Sequence, residues 1–219
     1  MLQKASLLMH NIHTHRSHGT AADEIISRST HFDQSVTLPQ CSLGLHPWYL
    51  DDAEVQWKAL LEYADRPNVL AIGECGLDKA CDTPWEIQTE YFEKQIALAN
   101  TLQKPLIIHC VKAYQECLLL LKAAKVPVVF HGFNKNTETA KMLLARGYFL
   151  SFGHQLLKES YADTFREIPV TQMCFETDDQ PELLIEDVYK RAAEMLNFPL
   201  DALILQIEKN YQNIFRYAR

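Results

Sequence analysis

The chain has 219 residues, of which 47% are apolar and 22% are charged, and this composition is typical of a globular protein with a sizeable core. Its formal net charge of −7 argues against a passive DNA-binding module, which would present a basic surface. The charge does not exclude an enzyme that binds phosphate through metal cations, because such cations are the largest charges at their site.

We find no signal peptide and no apolar run of about 18 residues that could span a membrane. Six cysteines are scattered without CxxC spacing, a pattern that excludes zinc fingers and favours a reducing compartment over a disulfide framework. We therefore expect a soluble, cytoplasmic protein that has no contact with a membrane and no obligate protein partner.

Short apolar runs alternate with amphipathic segments along the whole chain, as buried parallel strands alternate with helices. The predicted strands span residues 6–13, 40–45, 69–73, 105–109, 126–130, 148–152 and 171–176. The predicted helices span residues 51–64, 83–103, 113–124, 137–146, 154–165, 181–197 and 200–217. The second helix opens on Thr83-Pro84-Trp85-Glu86, which has the pattern of a capping box.

Repeated βα units favour an α/β fold of the TIM-type (β/α) barrel class, as a single domain over residues 1–219. An open doubly wound sheet would usually carry a Gly-rich phosphate loop after its first strand, and none is present. Seven strands are clear, and residues 24–29 are the best candidate for the eighth. We expect a compact barrel that is irregular between the first and second clear strands.

Residues suited to metal chemistry lie at or just past the carboxyl ends of these strands. His13 and His15 share one face of the first strand, because side chains alternate along a strand. In a barrel the strand ends converge on one mouth, where active sites lie. A single histidine there, such as His46, could equally be a core residue. The full set is harder to explain without a cation: His13, His15, His46, Glu74, His109, His131 and Asp178.

Imidazoles and carboxylates without thiolates suit zinc, manganese, iron or magnesium. Six ligands exceed what one tetrahedral ion takes but fit two ions, with Glu74 bridging them: His13, His15, Glu74, His109, His131 and Asp178. Two ions about 3.5–4 Å apart can clamp both oxygens of a phosphoryl displacement. Asp178 would then serve as a ligand and as general base for the attacking water.

The ordered motifs HTH, GLHPWY, IGECGLD, PLIIHC, FHGF and ETD resemble those of the TatD-like metal-dependent hydrolases. The segment EKQIALANTLQKP and the C-terminal NYQNIF resemble that family too, so the likeness covers residues 11–215. These are amidohydrolase-type barrels described as deoxyribonucleases. The resemblance implies a two-metal phosphodiesterase (Mg, Zn or Mn) acting on DNA, at single-stranded ends, or on another phosphodiester.

The resemblance also implies roles for individual residues. His13, His15, Glu74 and Asp178 would hold one metal ion, and Glu74, His109 and His131 would hold the other. His46 would face the scissile phosphate. The catalytic set is then Asp178, Glu74 and His46.

Two departures from the family pattern concern substrate binding. The family's HxHLD is HTHRS here, with Arg16 and Ser17 after the pair. Val111 occupies the position of a frequent arginine, and the neighbouring Lys112 could supply a phosphate charge but not a bidentate fork. The segment after the first motif and the loop after ETD are also shorter than usual. The metal ligands are intact, whereas the parts that grip substrate are reduced.

Weaker candidates have two interpretations each. Trp48 and Tyr49, together with Phe133, could stack on nucleobases or pack the barrel rim. His154 could line the pocket. The remaining histidines are not expected to be ligands: His10 in a loop or at the barrel bottom, and His18 and His31 in solvent.

Two other functions remain open. The chain could be an amidohydrolase that cleaves a small amide or lactone, although many of those bridge their metals with a carboxylated lysine rather than a glutamate. It could also be a non-catalytic metal-binding scaffold, which the shortened loops favour and the complete ligand set disfavours.

Overall fold

The computed structural model describes residues 8–19 and 23–215. Its eight strands are all parallel and pair in sequence order, β1 to β8. Their bounds are β1 His10–Thr14, β2 Asp23–Arg28, β3 Cys41–Leu43, β4 Val69–Asp78, β5 Leu106–Val111, β6 Val128–Phe130, β7 Phe149–Phe152 and β8 Met173–Phe175. The predicted (β/α) barrel class is confirmed, and so is an eighth strand between the first two clear ones.

Seven helices lie between and after the strands in the described part of the chain. They are α1 Ala53–Tyr63, α2 Trp85–Leu102, α3 Tyr114–Leu120, α4 Thr137–Leu144, α5 Ala162–Arg166, α6 Ile185–Leu196 and α7 Leu200–Phe215. No helix of these residues is long and apolar enough to cross a membrane. Residues 6–7 of the first predicted strand and residues 216–217 of the last predicted helix lie outside the described ranges.

Three helix predictions were wrong in detail. The helix predicted at 154–165 is two 3₁₀ turns, His154–Leu157 and Glu159–Tyr161, followed by the five-residue α5. The helix predicted from 181 starts at Ile185, because Leu184 is still extended. The capping box before α2 is not formed, since Pro84 is the N-cap and no side chain caps the helix.

The barrel is compressed after β2, as the sequence predicts. Residues 29–40 contain one 3₁₀ segment, Phe32–Thr37, where an ideal barrel would have a helix. Phe32 and Ser35 of this segment are buried. Asn68 donates to the carbonyl oxygens of Ser35 and Leu38, at 2.8 and 3.0 Å. Side-chain hydrogen bonds therefore hold the shortened connection against the residues that precede β4.

The barrel closes between β1 and the residues after β8. The Asp178 amide donates to the His13 carbonyl at 3.0 Å, and the His15 amide donates to the Asp178 carbonyl at 3.1 Å. Asn11, which is fully buried, ties the same seam: its Nδ2 donates to Thr177 Oγ1 at 2.8 Å, and its Oδ1 accepts from the Thr177 amide at 3.1 Å. This seam places the side chains of His13, His15 and Asp178 at the mouth.

We predict that Asn11→Ala destabilises the protein by about 1–3 kcal/mol, because the buried Thr177 amide loses its acceptor. Chemical denaturation in chelator measures this without any contribution from bound metal. Val55→Ala, on the exposed face of α1, is the control and should change stability by less than about 0.5 kcal/mol. An Asn11→Ala protein as stable as the control would show that this bond pair does not hold the seam.

Candidate metal centre

Six polar side chains from the strand ends line one pocket of about 240 Å³ at the barrel mouth: His15, His46, Glu74, His109, His131 and Asp178. His13 lies beneath them and is fully buried. The sequence predicted Glu74 just after its strand and His109 as the last residue of its strand. Both lie inside longer strands, because β4 continues to Asp78 and β5 to Val111. The structure thus brings together the residues proposed as metal ligands.

Glu74 lies at the centre of this pocket and is 3% exposed. Its Oε2 is 3.3 Å from His13 Nε2 and 3.6 Å from His15 Nε2. Its Oε1 is 2.8 Å from His109 Nδ1 and 2.7 Å from His131 Nε2. His46 Nε2 also lies 3.0 Å from Oε1. Each carboxylate oxygen therefore faces a separate set of imidazoles, which is the geometry a bridging ligand requires.

The first group of donors fits a divalent cation. The donor atoms of His13, His15 and Asp178 all lie within 4.8 Å of one another, and Asp178 Oδ1 is 3.5 and 3.4 Å from the two Nε2 atoms. Neither ring nitrogen of His13 makes a hydrogen bond, although both are buried. Unpartnered buried polar atoms are costly, and a cation bound between these donors would satisfy Nε2.

The second proposed group, His109 and His131, faces Glu74 Oε1. The donor atoms on this side that could share one ion are those of His46, Glu74 and His109, and those of His13, Glu74 and His131. His109 Nε2 lies 3.1 Å from Asp78 Oδ2, which accepts the Nε2 proton. Nδ1 lies 2.8 Å from Glu74 Oε1 and would give its lone pair to a cation bound there in place of a proton. His131 has Nδ1 3.5 Å from Glu176 Oε1 and Nε2 towards Glu74. Carboxylates behind metal-binding histidines fix ring orientation and tautomer in this way.

Asp78 and Glu176 are functional residues that the sequence analysis missed. Both are buried, and Glu176 Oε1 also accepts from the Gly132 amide at 2.7 Å. The available signal was that each is a carboxylate inside a motif already singled out, at the end of IGECGLD and at the start of ETD. Their partners are distant in sequence, so only the fold shows what they orient.

His46 differs from the other histidines of the pocket. Its Nδ1 accepts a hydrogen bond from the Trp48 amide at 3.1 Å. The neutral ring therefore carries its proton on Nε2, which lies 3.0 Å from Glu74 Oε1 and can donate to it. A protonated nitrogen offers no lone pair to a metal ion. His46 thus presents a hydrogen-bond donor to the pocket.

The charges of the cluster balance one another. Burial raises the pKa of Glu74, but the charge of His131 and hydrogen bonds from His109 outweigh it and hold that pKa well below its usual range. Burial and the nearby His131 lower the pKa of His13, but Asp178 and Glu74 outweigh them and raise it to about 9. Burial raises the pKa of Asp178, yet His13 and His15 bring it below its usual value. Bound cations would take the place of the protons that the histidines of the cluster carry.

The weaker substrate-binding candidates separate in the structure. Trp48 lines the pocket, with its ring 53% exposed. Phe133 is 1% exposed and packs edge-on against Phe152, so the stacking role was wrong for this residue and the packing alternative holds. Lys112, exposed after β5, and His154, in the 3₁₀ turn after β7, are not among the described residues that line the metal pocket.

The other histidines lie away from the pocket. His10 is buried at the amino end of β1, where Nδ1 lies 3.2 Å from Asp23 and Nε2 pairs with Glu208. His31 is exposed, as predicted. His18 is not solvated as predicted: its side chain is 8% exposed and Nδ1 lies 3.1 Å from Glu24 Oε1. Glu24 of β2 packs against the His18 ring. The spacing of the two residues in the sequence did not predict this contact.

We predict that metal affinity rises with pH. His13 must lose its proton to become a ligand, and its pKa of about 9 means that the proton is still bound at neutral pH. Each displaced proton should strengthen apparent binding of Zn²⁺ or Mn²⁺ about tenfold per pH unit between about pH 6 and pH 8. Competition with a chelating dye measures this, and an affinity that stays constant over the range would contradict it.

We predict that Asp78→Asn weakens metal binding about 10–100-fold, because the carboxylate that orients the His109 ring is lost. Titration of metal-free protein with Mn²⁺ measures the affinity. Asp163→Asn, in exposed α5, is the matched control and should bind as the wild type does. Equal affinities of the two variants would remove Asp78 from the metal centre.

The model of the TatD related DNase family matches residues 8–216. A 3'-5' ssDNA/RNA exonuclease TatD of Citrobacter rodentium is 33% identical over 177 residues, covering 74% of this chain and 65% of that protein. An uncharacterized metal-dependent hydrolase of Buchnera aphidicola is 28% identical over 194 residues, covering 80% of this chain and 73% of that protein. This chain thus spans less than two thirds of the Citrobacter relative's length.

Solved structures show the same fold. YJJV, a TatD homolog from Escherichia coli K12, superposes with a TM-score of 0.80 at 23% identity, covering 88% of this chain and 86% of that one. A TatD family hydrolase from Entamoeba histolytica gives a TM-score of 0.79 at 16% identity, covering 94% and 97%. At these identities the likeness establishes the barrel alone. With the family model matched along almost the whole chain, the protein belongs to the TatD related DNase family.

Proposed function

We propose that this chain is a metal-dependent phosphodiesterase that hydrolyses DNA, at single-stranded ends, with two divalent cations bound on either side of Glu74. The observation that carries the proposal is the division of the Glu74 carboxylate, whose Oε2 faces two imidazoles and whose Oε1 faces three others. The name of the Citrobacter relative, an exonuclease of single-stranded DNA and RNA, supports a nucleic-acid substrate.

The ligand assignment within this proposal has two parts. His13, His15 and Asp178 would hold one cation, and His109 and His131 the other, with Glu74 shared. The set is rich in imidazole, which suits Zn²⁺ or Mn²⁺ better than Mg²⁺. When bound, such cations supply Lewis-acid chemistry, which lowers the pKa of a water and neutralises phosphate oxygens.

Asp178 is the proposed general base. Its side chain lines the pocket and is partly exposed, whereas the side chain of Glu74 in the same pocket is buried. Its low pKa, set by His13 and His15 against the effect of burial, keeps it ionised and able to accept a proton from the attacking water. Its position is fixed by the backbone seam, because the Asp178 amide and carbonyl both bond to β1.

His46 is the proposed donor to the phosphate. Its Nε2 proton points into the pocket, and the Trp48 amide fixes the ring from behind. Burial lowers the pKa of His46, although Glu74 acts in the opposite direction, so the ring donates a hydrogen bond in its neutral form. An oriented donor that meets charge developing on a phosphate oxygen lowers the barrier without binding the metal.

We also propose that the site belongs to a single domain over residues 1–219 and that the protein is cytoplasmic. A cytoplasmic location agrees with six cysteines that are all free thiols in the structure, as they would be in a reducing compartment.

We predict that His46→Ala separates metal binding from catalysis. The variant should keep the wild-type metal content and lose about 10²–10³-fold in kcat, whereas Glu74→Gln should lose both metal and activity. Elemental analysis and hydrolysis of end-labelled single-stranded DNA and bis(p-nitrophenyl) phosphate measure the two properties. His31→Asn is the control, because position 31 is exposed with a positive φ that asparagine tolerates.

Two results would contradict the proposal. Loss of metal from His46→Ala would make that residue a ligand rather than a donor. Metal-loaded wild-type protein that hydrolyses neither DNA nor bis(p-nitrophenyl) phosphate, but opens a lactone or a cyclic amide, would assign an amidohydrolase activity instead.

A further inference from the structure

A second, larger cleft adjoins the metal pocket. Its volume is about 780 Å³, within the usual range of small-molecule sites. We call it the Trp48 cleft, and its defining residues are Trp48, Leu50, Asp82, Pro84, Ile87 and Val111. Trp48 lines both cavities, so its ring separates the cleft from the metal centre.

The Trp48 ring is held in place although it is half exposed. Its Nε1 donates to Asp78 Oδ2 at 2.6 Å, and the same oxygen accepts from His109 Nε2 at 3.1 Å. The indole lies edge-on to His46 and His109, with ring centroids 4.9 and 5.7 Å apart. A large aromatic surface is therefore fixed beside the donor proposed for the phosphate and beside a proposed metal ligand, at little entropic cost on binding.

The chemistry of the cleft does not suit a phosphate. Among the described residues that line it, none is lysine or arginine, whereas Asp51, Asp78 and Asp82 are acidic. Lys79, next to the cleft in sequence, pairs with Glu116 and lies over the Trp85 ring. A second phosphate there would meet negative charge without a cation. An uncharged aromatic ring would meet Trp48 and aliphatic side chains, and base–aromatic stacking is favourable and tolerant of sequence.

We propose that the Trp48 cleft binds the nucleoside next to the scissile phosphate, with its base stacked on Trp48. The enzyme then holds one phosphodiester and one base, so its preferred substrate class is the dinucleoside monophosphate or the terminal dinucleotide of a strand. Further nucleotides add nothing to recognition. This inference rests on the proposed phosphodiesterase function and specifies its substrate.

The first test is a length series. The value of kcat/KM per strand end should be the same, within about threefold, for a deoxydinucleoside monophosphate and a single-stranded ten-mer. A protein that tracks the backbone with cations gains affinity with each phosphate and loses it steeply with salt. A ten-mer turned over more than about tenfold better than the dinucleotide would overturn the inference.

The second test removes the base. A dinucleotide with an abasic sugar on the cleft side should lose about tenfold or more in kcat/KM with the wild type. Trp48→Ala should lose as much on the normal dinucleotide and show no further loss on the abasic one. Equal wild-type rates on the two substrates would show that no base is bound in the cleft.

The third test changes the cleft's charge. Val111→Arg should reduce turnover of the dinucleotide, because the side chain fills the space of the base. If the cleft bound a phosphate instead, the new cation would increase turnover and contradict the inference. Leu119→Arg, at an exposed position of α3, adds the same charge away from the cleft and should leave turnover unchanged.

A binding measurement separates this inference from the proposed function. Calorimetry of metal-loaded protein should show deoxyadenosine monophosphate binding about tenfold or more tightly than deoxyribose 5-phosphate, with the difference lost in Trp48→Ala. If this difference is present but no phosphodiester is hydrolysed, the proposed function fails and the cleft assignment stands. If hydrolysis occurs and the two ligands bind equally, the cleft assignment fails alone.

Discussion

The structure of the site depends on one buried carboxylate, Glu74, at the mouth of the barrel. An isolated carboxylate in that position would be costly, and five surrounding imidazoles compensate it. Some nitrogens of these imidazoles are buried without a hydrogen-bond partner, and both ring nitrogens of His13 are examples. The cluster is therefore balanced only by protons or by cations, and its burial makes cations the better match for its lone pairs.

Barrel closure and site assembly use the same atoms. The seam between β1 and the segment after β8 runs through the backbone of His13, His15 and Asp178, so three proposed ligands are fixed by main-chain hydrogen bonds. Asn11 and Thr177 extend the seam below them. Main-chain hydrogen bonds of the barrel consequently hold this part of the site.

A chain of hydrogen bonds links the metal pocket to the substrate side. Asp78 accepts from both His109 and Trp48, and the Trp48 amide fixes the tautomer of His46. The proposed ligand His109, the proposed donor His46 and the indole of Trp48 are thus linked through Asp78 and the Trp48 amide.

The sequence predicted the barrel and the set of strand-end residues, because hydrophobic runs and their polar ends are local patterns. It also located β2, from a short β-prone run at 24–29. It did not predict the roles of Asp78 and Glu176, whose partners lie far away in the chain, or the burial of Phe133 and His18. The helix expected at 154–165 broke into turns, since periodicity does not report the tertiary contacts that set local geometry.

Anomalous diffraction from crystals soaked in Mn²⁺ or Zn²⁺ shows whether the Glu74 carboxylate would be shared by two cations. We expect two peaks about 3.5–4 Å apart, one beside His13, His15 and Asp178 and the other beside His109 and His131. A single peak, or two that do not share the Glu74 carboxylate, would contradict this expectation.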